Sequence, residues 1–91
     1  MPKSETTHRV AATLTLATAT EALAAAFAAL SQSVTIFDFF AVKELDSAAL
    51  AYILVCQREA IRLGKSLQCT NVPENLKNLA ALYGVATYIP I

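Results

Sequence analysis

An acid and a hydroxyl stand side by side at Asp46 and Ser47, directly before an apolar run that begins at Ala48. A serine in this setting can act as a nucleophile, accept a phosphoryl group or cap a helix. Nucleophilic chemistry requires a base, and the single histidine, His8, lies in a distant polar N-terminal segment. We therefore predict no catalytic residue. Asp46 or Ser47 is expected to cap a helix and to offer a contact or modification point.

Other chemical signatures are missing from the sequence. The chain has two glycines, both placed where helices should end, and it contains no glycine-rich phosphate-binding loop. Cys56 and Cys69 have neither CxxC spacing nor matching histidines, so we interpret them as small buried hydrophobic residues, with an oxidised pair as the disfavoured alternative. We expect no metal site and no cofactor. A small enzyme using Ser47 or a cysteine is the least supported function.

Length and composition predict a single domain over residues 1–91. Hydrophobic residues make up 56% of the chain and charged residues 15%, which favours a partner that covers apolar surface. The net charge is zero without a concentrated basic face, which argues against nucleic acid binding. The longest apolar runs are about half of the ~20 residues that a membrane span requires, and the N-terminus lacks a signal-peptide core. We expect a cytoplasmic protein.

Hydrophobic periodicity predicts strands that alternate with helices. Alternation over residues 10–16 predicts a half-buried strand, and the apolar run 34–40 predicts a central one. A third strand is expected over residues 65–72 and a short last one within the tail 85–91, while residues 1–8 suggest a frayed end or a short edge strand. This order predicts an α/β fold with a mostly parallel sheet of four to five strands and about three to four helices.

Three helices connect these strands. The first is expected over residues 22–30, the second from Asp46–Ser47 to Gly64, and the third from Pro73 to Gly84. Spacings of three and four residues predict the core stripe of each helix: Leu23, Phe27 and Leu30 on the first, Leu50, Ile53, Leu54, Gln57 and Ile61 on the second, and Leu76, Leu79, Ala80 and Tyr83 on the third. Tyr52 falls largely off the second stripe.

One further acid, Asp38, interrupts the apolar run of the central strand. A carboxylate near the carboxyl end of such a strand usually lies at the rim of the sheet, hydrogen-bonded to a nearby loop. We therefore expect Asp38 to have a supporting, structural role.

The predicted central strand Val34-Thr35-Ile36-Phe37-Asp38 ends in an acid, and Leu45-Asp46-Ser47-Ala48-Ala49-Leu50-Ala51 opens the next helix. These two stretches resemble the signature of STAS domains. In that family a hydrophobic strand ends in Asp, and an Asp-Ser/Thr-x-Gly-Leu motif opens the next helix. The likeness extends from residue 34 onward, and it continues through Arg62–Leu67 and Asn71–Leu76. The family's glycine falls at Ala49, which predicts a tighter, bulkier turn and so favours Ser47 as a contact over Ser47 as a phosphorylation site.

The resemblance implies a small STAS-like domain that acts without catalysis. Ser47 matches the family's phosphorylated or ATPase-contacting hydroxyl, and the expected contact surface comprises Asp46, Ser47, Ala48, Ala49 and Tyr52. The segment Ala81–Val85 is similar to the STAS subunits of phospholipid ABC transporters. That similarity implies an accessory subunit bound to the transporter ATPase, peripheral at the inner membrane, with the membrane permease and an MCE lipid-binding protein as indirect partners. The alternative is an anti-sigma factor antagonist regulated by phosphorylation of Ser47.

Overall fold

Five short strands and three α-helices alternate along residues 7–89, which are the residues that the computed structural model describes. The strands are β1 (Thr7–Arg9), β2 (Thr13–Leu14), β3 (Ile36–Asp38), β4 (Glu44–Leu45) and β5 (Gln68–Thr70), and the helices are α1 (Ala19–Leu30), α2 (Ala48–Arg62) and α3 (Glu74–Leu82). A short 3₁₀ helix, Ala86–Tyr88, follows α3. The predicted α/β class is confirmed.

The strand pairs are parallel, as the alternation of elements predicts, but they form two ladders. β3 lies between β1 and β5 in a three-stranded sheet, whereas β2 and β4 pair separately. Residues 10–12 separate β1 from β2, and the longer segment 39–43 separates β3 from β4. The two extra residues on one side interrupt regular pairing in the way that a bulge does. The backbone N–H groups of Lys43 and Glu44 both donate to the Ala12 carbonyl at this interruption.

The strands are shorter than the alternation predicts, and the runs 10–16, 34–40 and 65–72 each contain only a short paired segment. In the first run, the Thr18 hydroxyl accepts from the Thr15 N–H at 3.0 Å and donates to the Thr13 carbonyl at 3.1 Å. These bonds turn the chain out of β2. Helix α1 then begins at Ala19, ahead of the predicted start at Ala22.

The structure near the two ends of the chain agrees with the predictions at one end and differs from them at the other. For residues 1–8 the sequence predicts a frayed end or a short edge strand, and β1 begins there at Thr7. Within residues 7–89, β1 pairs only with β3, and residues 1–6 lie outside the described part. The prediction of a strand in the tail is wrong over the described residues, because a 3₁₀ helix forms there. Gly84, at φ 73°, turns the chain, and the Val85 N–H donates to the Ala80 carbonyl at 2.9 Å. Pro90 and Ile91 lie outside the described residues.

The buried face of α2 differs from the predicted stripe. Leu50 and Ile53 are buried as expected, but Ile61 is 66% exposed and Tyr52 only 1% exposed. The small residues Ala49, Cys56 and Ala60 are also fully buried. Alanine and cysteine carry little periodic signal, yet they let α2 approach its neighbours closely. The core arc of α2 is therefore turned toward Tyr52.

The stripes of α1 and α3 are each wrong at one aromatic residue. Phe27 is 37% exposed and Tyr83 is 55% exposed, whereas Ala26 and Ala80 are fully buried. Leu30 and Leu76 occupy the core as predicted. Short side chains therefore form much of the helix packing, and larger apolar side chains remain at the surface.

Helices α1 and α2 begin at the same end of the molecule. They follow β2 and β4, which pair in parallel, and the Lys65 ammonium just beyond α2 donates to the carbonyls of Leu30 and Gln32 at the end of α1. The two helices thus run side by side in the same direction. None of the helices within residues 7–89 has both the length and the hydropathy of a membrane span.

Candidate functional site

Asp46 joins two elements at the end of the molecule where α1 and α2 begin. Its Oδ1 accepts a hydrogen bond from the Ala48 N–H at 2.8 Å, which satisfies a free donor in the first turn of α2. Its Oδ2 accepts from the Leu16 N–H at 3.2 Å, in the loop that leads into α1. The carboxylate is therefore the cap that the sequence predicts, and it also holds the two helix starts together.

Ser47 occupies the N-cap position of α2, but its hydroxyl does not cap the helix. The residue has φ −63° and ψ −17°, already helical, and its side chain makes no capping hydrogen bond. A cap normally has extended backbone angles that aim its oxygen at the first turn. Because Asp46 performs that task and Ser47 is exposed, the Ser47 hydroxyl faces outward at the start of the helix.

The remaining predicted contact residues divide between surface and core. Ala48 is half-buried beside Ser47, whereas Ala49 is fully buried and Tyr52 is 1% exposed. The structure thus brings Asp46, Ser47 and Ala48 together at the surface and turns the other two inward. The methyl group of Ala49 adds no bulk to the outer surface, so the expectation of a bulkier surface at this turn is wrong.

An apolar depression that the sequence analysis did not identify adjoins Ser47. We call it the α1–α2 groove. It has a volume of about 420 Å³ and is lined by Leu16, Ala19, Leu23, Asp46, Ser47, Ala48, Ala51, Tyr52 and Val55. Leu16 is 80% exposed at its edge. The signal in the sequence was the alanine content of both helices, but only their side-by-side packing turns small residues into a concave surface.

Tyr52 lies beneath the groove among aromatic side chains. Its ring centroid is 6.4 Å from those of Phe37 and Phe39, and its hydroxyl has no hydrogen-bond partner within residues 7–89. Burial, with the nearby Cys56 and Cys69 thiols, raises the pKa of the Tyr52 hydroxyl well above its usual value. The side chain is a neutral core residue.

The two cysteines behave as small apolar residues, as predicted. Cys56 is fully buried and Cys69 half-buried, and both are free thiols. Burial is the main cause that raises the pKa of each thiol to about 12. A thiol with so high a pKa is almost entirely protonated near neutral pH, which makes it a poor nucleophile and a poor metal ligand.

Asp38 lies at the carboxyl end of β3 and holds two loops. Its Oδ1 accepts from the Phe40 N–H at 3.0 Å and from the Asn71 side-chain amide at 2.9 Å. The hydrogen bond from Asn71 is the main reason that the pKa of the Asp38 carboxyl is lowered. Asn71 itself has φ 54°, a left-handed conformation that asparagine tolerates better than most residues. Asp38 therefore supports the rim of the sheet.

His8, the histidine of the chain, lies in β1 and packs against the core. The ring of His8 lies edge-on to Phe37, with centroids 4.9 Å apart, and burial lowers the pKa of the imidazole. Within the described residues, no three His, Cys, Asp or Glu side chains are placed to hold a metal ion. The candidate site therefore consists of an exposed hydroxyl, a structural carboxylate and an apolar groove.

The parallel strand β3 ends in Asp38 and the Asp46–Ser47 turn precedes α2, which is the arrangement that the STAS signature describes. A family model described as "Mlab, STAS domain" matches residues 2–90, so the chain belongs to the MlaB-type STAS family. This match also covers the N-terminal part, which the signature resemblance did not reach. Members of this class are generally non-enzymatic accessory domains. The comparison with curated proteins gave no match.

Proposed function

We propose that this protein is a non-enzymatic accessory subunit of an ABC-type phospholipid transporter that maintains lipid asymmetry. It binds the ATPase subunit through the Asp46–Ser47 end of α2. In this proposal the protein works in the cytoplasm, at the inner membrane through its partner. The permease and the MCE lipid-binding protein are indirect partners, and no cofactor is involved.

The observation that carries the proposal is the division of roles between Asp46 and Ser47. Asp46 caps α2 through the Ala48 N–H at 2.8 Å, so the fold does not need the Ser47 hydroxyl as a cap. An exposed hydroxyl at a rigid helix end can form hydrogen bonds to a partner without loss of the fold. The apolar groove next to it supplies surface that binding would remove from water.

Family membership and composition support the same function. The family description names the STAS domain of MlaB. The segment Ala81–Val85 resembles the STAS subunits of phospholipid ABC transporters. Charged residues make up only 15% of the chain, and the net charge is zero. A surface with so little charge favours a lasting complex over free diffusion.

Binding to the ATPase subunit of a phospholipid ABC transporter from the same cell tests the proposal. We expect the two proteins to co-purify and the Ser47→Glu variant to bind at least about tenfold more weakly, a loss of about 1.4 kcal/mol. Ser66→Glu is the matched control, because Ser66 is also exposed but lies beyond the opposite end of α2. Equal binding by the wild type and Ser47→Glu would show that the contact lies elsewhere.

The same exposed hydroxyl favours a second candidate function, that of an anti-sigma factor antagonist switched by phosphorylation. A phosphate on Ser47 adds nearly two negative charges beside Asp46 and would change a partner interface more than the core. Because the Ala49 methyl group is buried, it does not obstruct a kinase. Incubation with ATP and the candidate kinases of the cell tests this function by mass spectrometry. A mass increase of one phosphate, lost in Ser47→Ala, supports it, and an unmodified protein contradicts it.

A further inference from the structure

The α1–α2 groove extends the contact beyond the Ser47 hydroxyl. We infer that the partner inserts an apolar side chain into this groove and places a lysine or arginine next to it, against Asp46. The inference rests on the proposed function, since it names the chemistry of the ATPase segment that binds at the same site.

The walls of the groove explain why an apolar side chain fits. Ala19 comes from α1, Ala48 and Ala51 come from α2, and the buried Tyr52 lies beneath them. Each alanine ends at Cβ, so two helices that pack side by side leave an open space between their starts. At about 420 Å³, that space can receive a large apolar side chain of the kind that forms the anchor of many interfaces.

The rim of the groove indicates a macromolecular occupant. Leu16 is 80% exposed and Val55 is 36% exposed, at different parts of the rim. A small molecule seated between the helices would leave most of Leu16 in water. A partner segment that lies across the rim covers both side chains and gains the free energy of their burial, about 25 cal/mol per Å² of apolar surface.

Charge indicates the second part of the contact. Asp46 is the charged residue of the groove lining, and it is exposed. Each oxygen of Asp46 accepts one backbone N–H, and a carboxylate oxygen has room for a second donor. A partner cation is therefore complementary to this rim.

The same charge disfavours a second copy of this chain as the occupant. A two-fold symmetric contact centred on the groove would bring Asp46 of one copy toward Asp46 of the other. Like charges brought together in an interface reduce affinity. The groove thus fits a different protein whose apolar anchor has a basic neighbour.

Two pairs of variants test the inference by calorimetric titration with the ATPase subunit. Ala51→Phe fills the groove from an exposed position on α2, and Ala81→Phe places the same side chain at an exposed position on α3. Asp46→Asn removes the charge at the groove and keeps a side-chain oxygen that can accept the Ala48 N–H, and Glu74→Gln removes a charge at the start of α3. We expect each groove variant to bind at least about tenfold more weakly and each control to bind as the wild type does. Circular dichroism melting of all four variants establishes that they are folded.

The outcomes separate this inference from the proposed function. If the wild type binds no ATPase subunit, the proposed function fails. If the wild type binds and either Ala51→Phe or Asp46→Asn binds equally well, the inference about the groove is wrong while the proposed function stands. If sedimentation shows a dimer of the isolated protein that Ala51→Phe dissociates, the occupant is a second copy and the assignment to a basic partner is overturned.

Discussion

The carboxylate of Asp46 accepts the backbone N–H of Leu16 at 3.2 Å, although thirty positions separate the two residues in the chain. The bond joins the loop before α1 to the first turn of α2. It therefore aligns the two helix starts whose small side chains form the α1–α2 groove. A residue that looks like a simple cap in the sequence thus also shapes the surface beside Ser47.

Removing this carboxylate should cost more stability than removing the neighbouring hydroxyl. We expect Asp46→Ala to lower the free energy of unfolding by about 1–2 kcal/mol, because the Ala48 N–H loses its cap and the Leu16 N–H its acceptor. Ser47→Ala should stay within about 0.5 kcal/mol of the wild type, since the hydroxyl makes no cap bond. Urea denaturation measures both values. A larger loss in Ser47→Ala would contradict the assignment of the cap.

The hydroxyl of Tyr52 should contribute nothing favourable to stability. It is buried and has no hydrogen-bond partner within residues 7–89, so its desolvation is not compensated there. We expect Tyr52→Phe to be neutral or stabilising and Tyr52→Ala to cost about 3–5 kcal/mol through loss of the buried ring. Thermal and urea denaturation compare the two variants. A clear destabilisation by Tyr52→Phe would reveal a hydrogen bond that the hydroxyl makes in solution.

Alkaline pH should destabilise the protein through its cysteines. In the unfolded chain a thiol has a pKa of about 8.5, whereas burial raises the pKa of Cys56 and Cys69 to about 12. The folded state therefore keeps protons that the unfolded state loses, and stability decreases as the pH rises from about 9 toward 12. Urea denaturation across this range measures the decrease. The Cys56→Ala/Cys69→Ala double variant should show a shallower pH dependence, and an unchanged slope would assign the effect to other groups.

Restoring the family's glycine should weaken the helix without changing the contact surface. Ala49 is fully buried in the first turn of α2, so Ala49→Gly loses helix propensity and a buried methyl group. We expect a loss of about 1–2 kcal/mol in the free energy of unfolding and unchanged affinity for the ATPase subunit. Denaturation and calorimetric titration measure the two quantities. Altered affinity in a folded Ala49→Gly variant would mean that this turn changes shape when the partner binds.

Local patterns predicted the three helices, most of the strands and several of their limits, but not β4 at Glu44–Leu45. The polar pair Asp46–Ser47 predicted the start of α2, and the glycines after α2 and α3 adopt φ values of 76° and 73°, as helix-ending glycines do. The alternation of strands and helices predicted parallel pairing, because a helical crossover returns the chain in the same direction. These features depend on residues close together in the chain, which is why the sequence alone indicates them.

The buried faces of the helices, the division of the sheet and the alignment of α1 with α2 depend on packing between distant elements. Tyr52 is buried and Ile61 exposed because the neighbours of α2 cover a different arc from the one that its largest aliphatic residues mark. Unequal connections split the sheet, and a bond between residues 16 and 46 aligns two helices. The sequence by itself determined the α/β class, the family signature and the polar turn at Asp46–Ser47. Only the tertiary structure decided that Asp46 caps while Ser47 stays available and that a groove lies beside it, because both depend on contacts between distant parts of the chain.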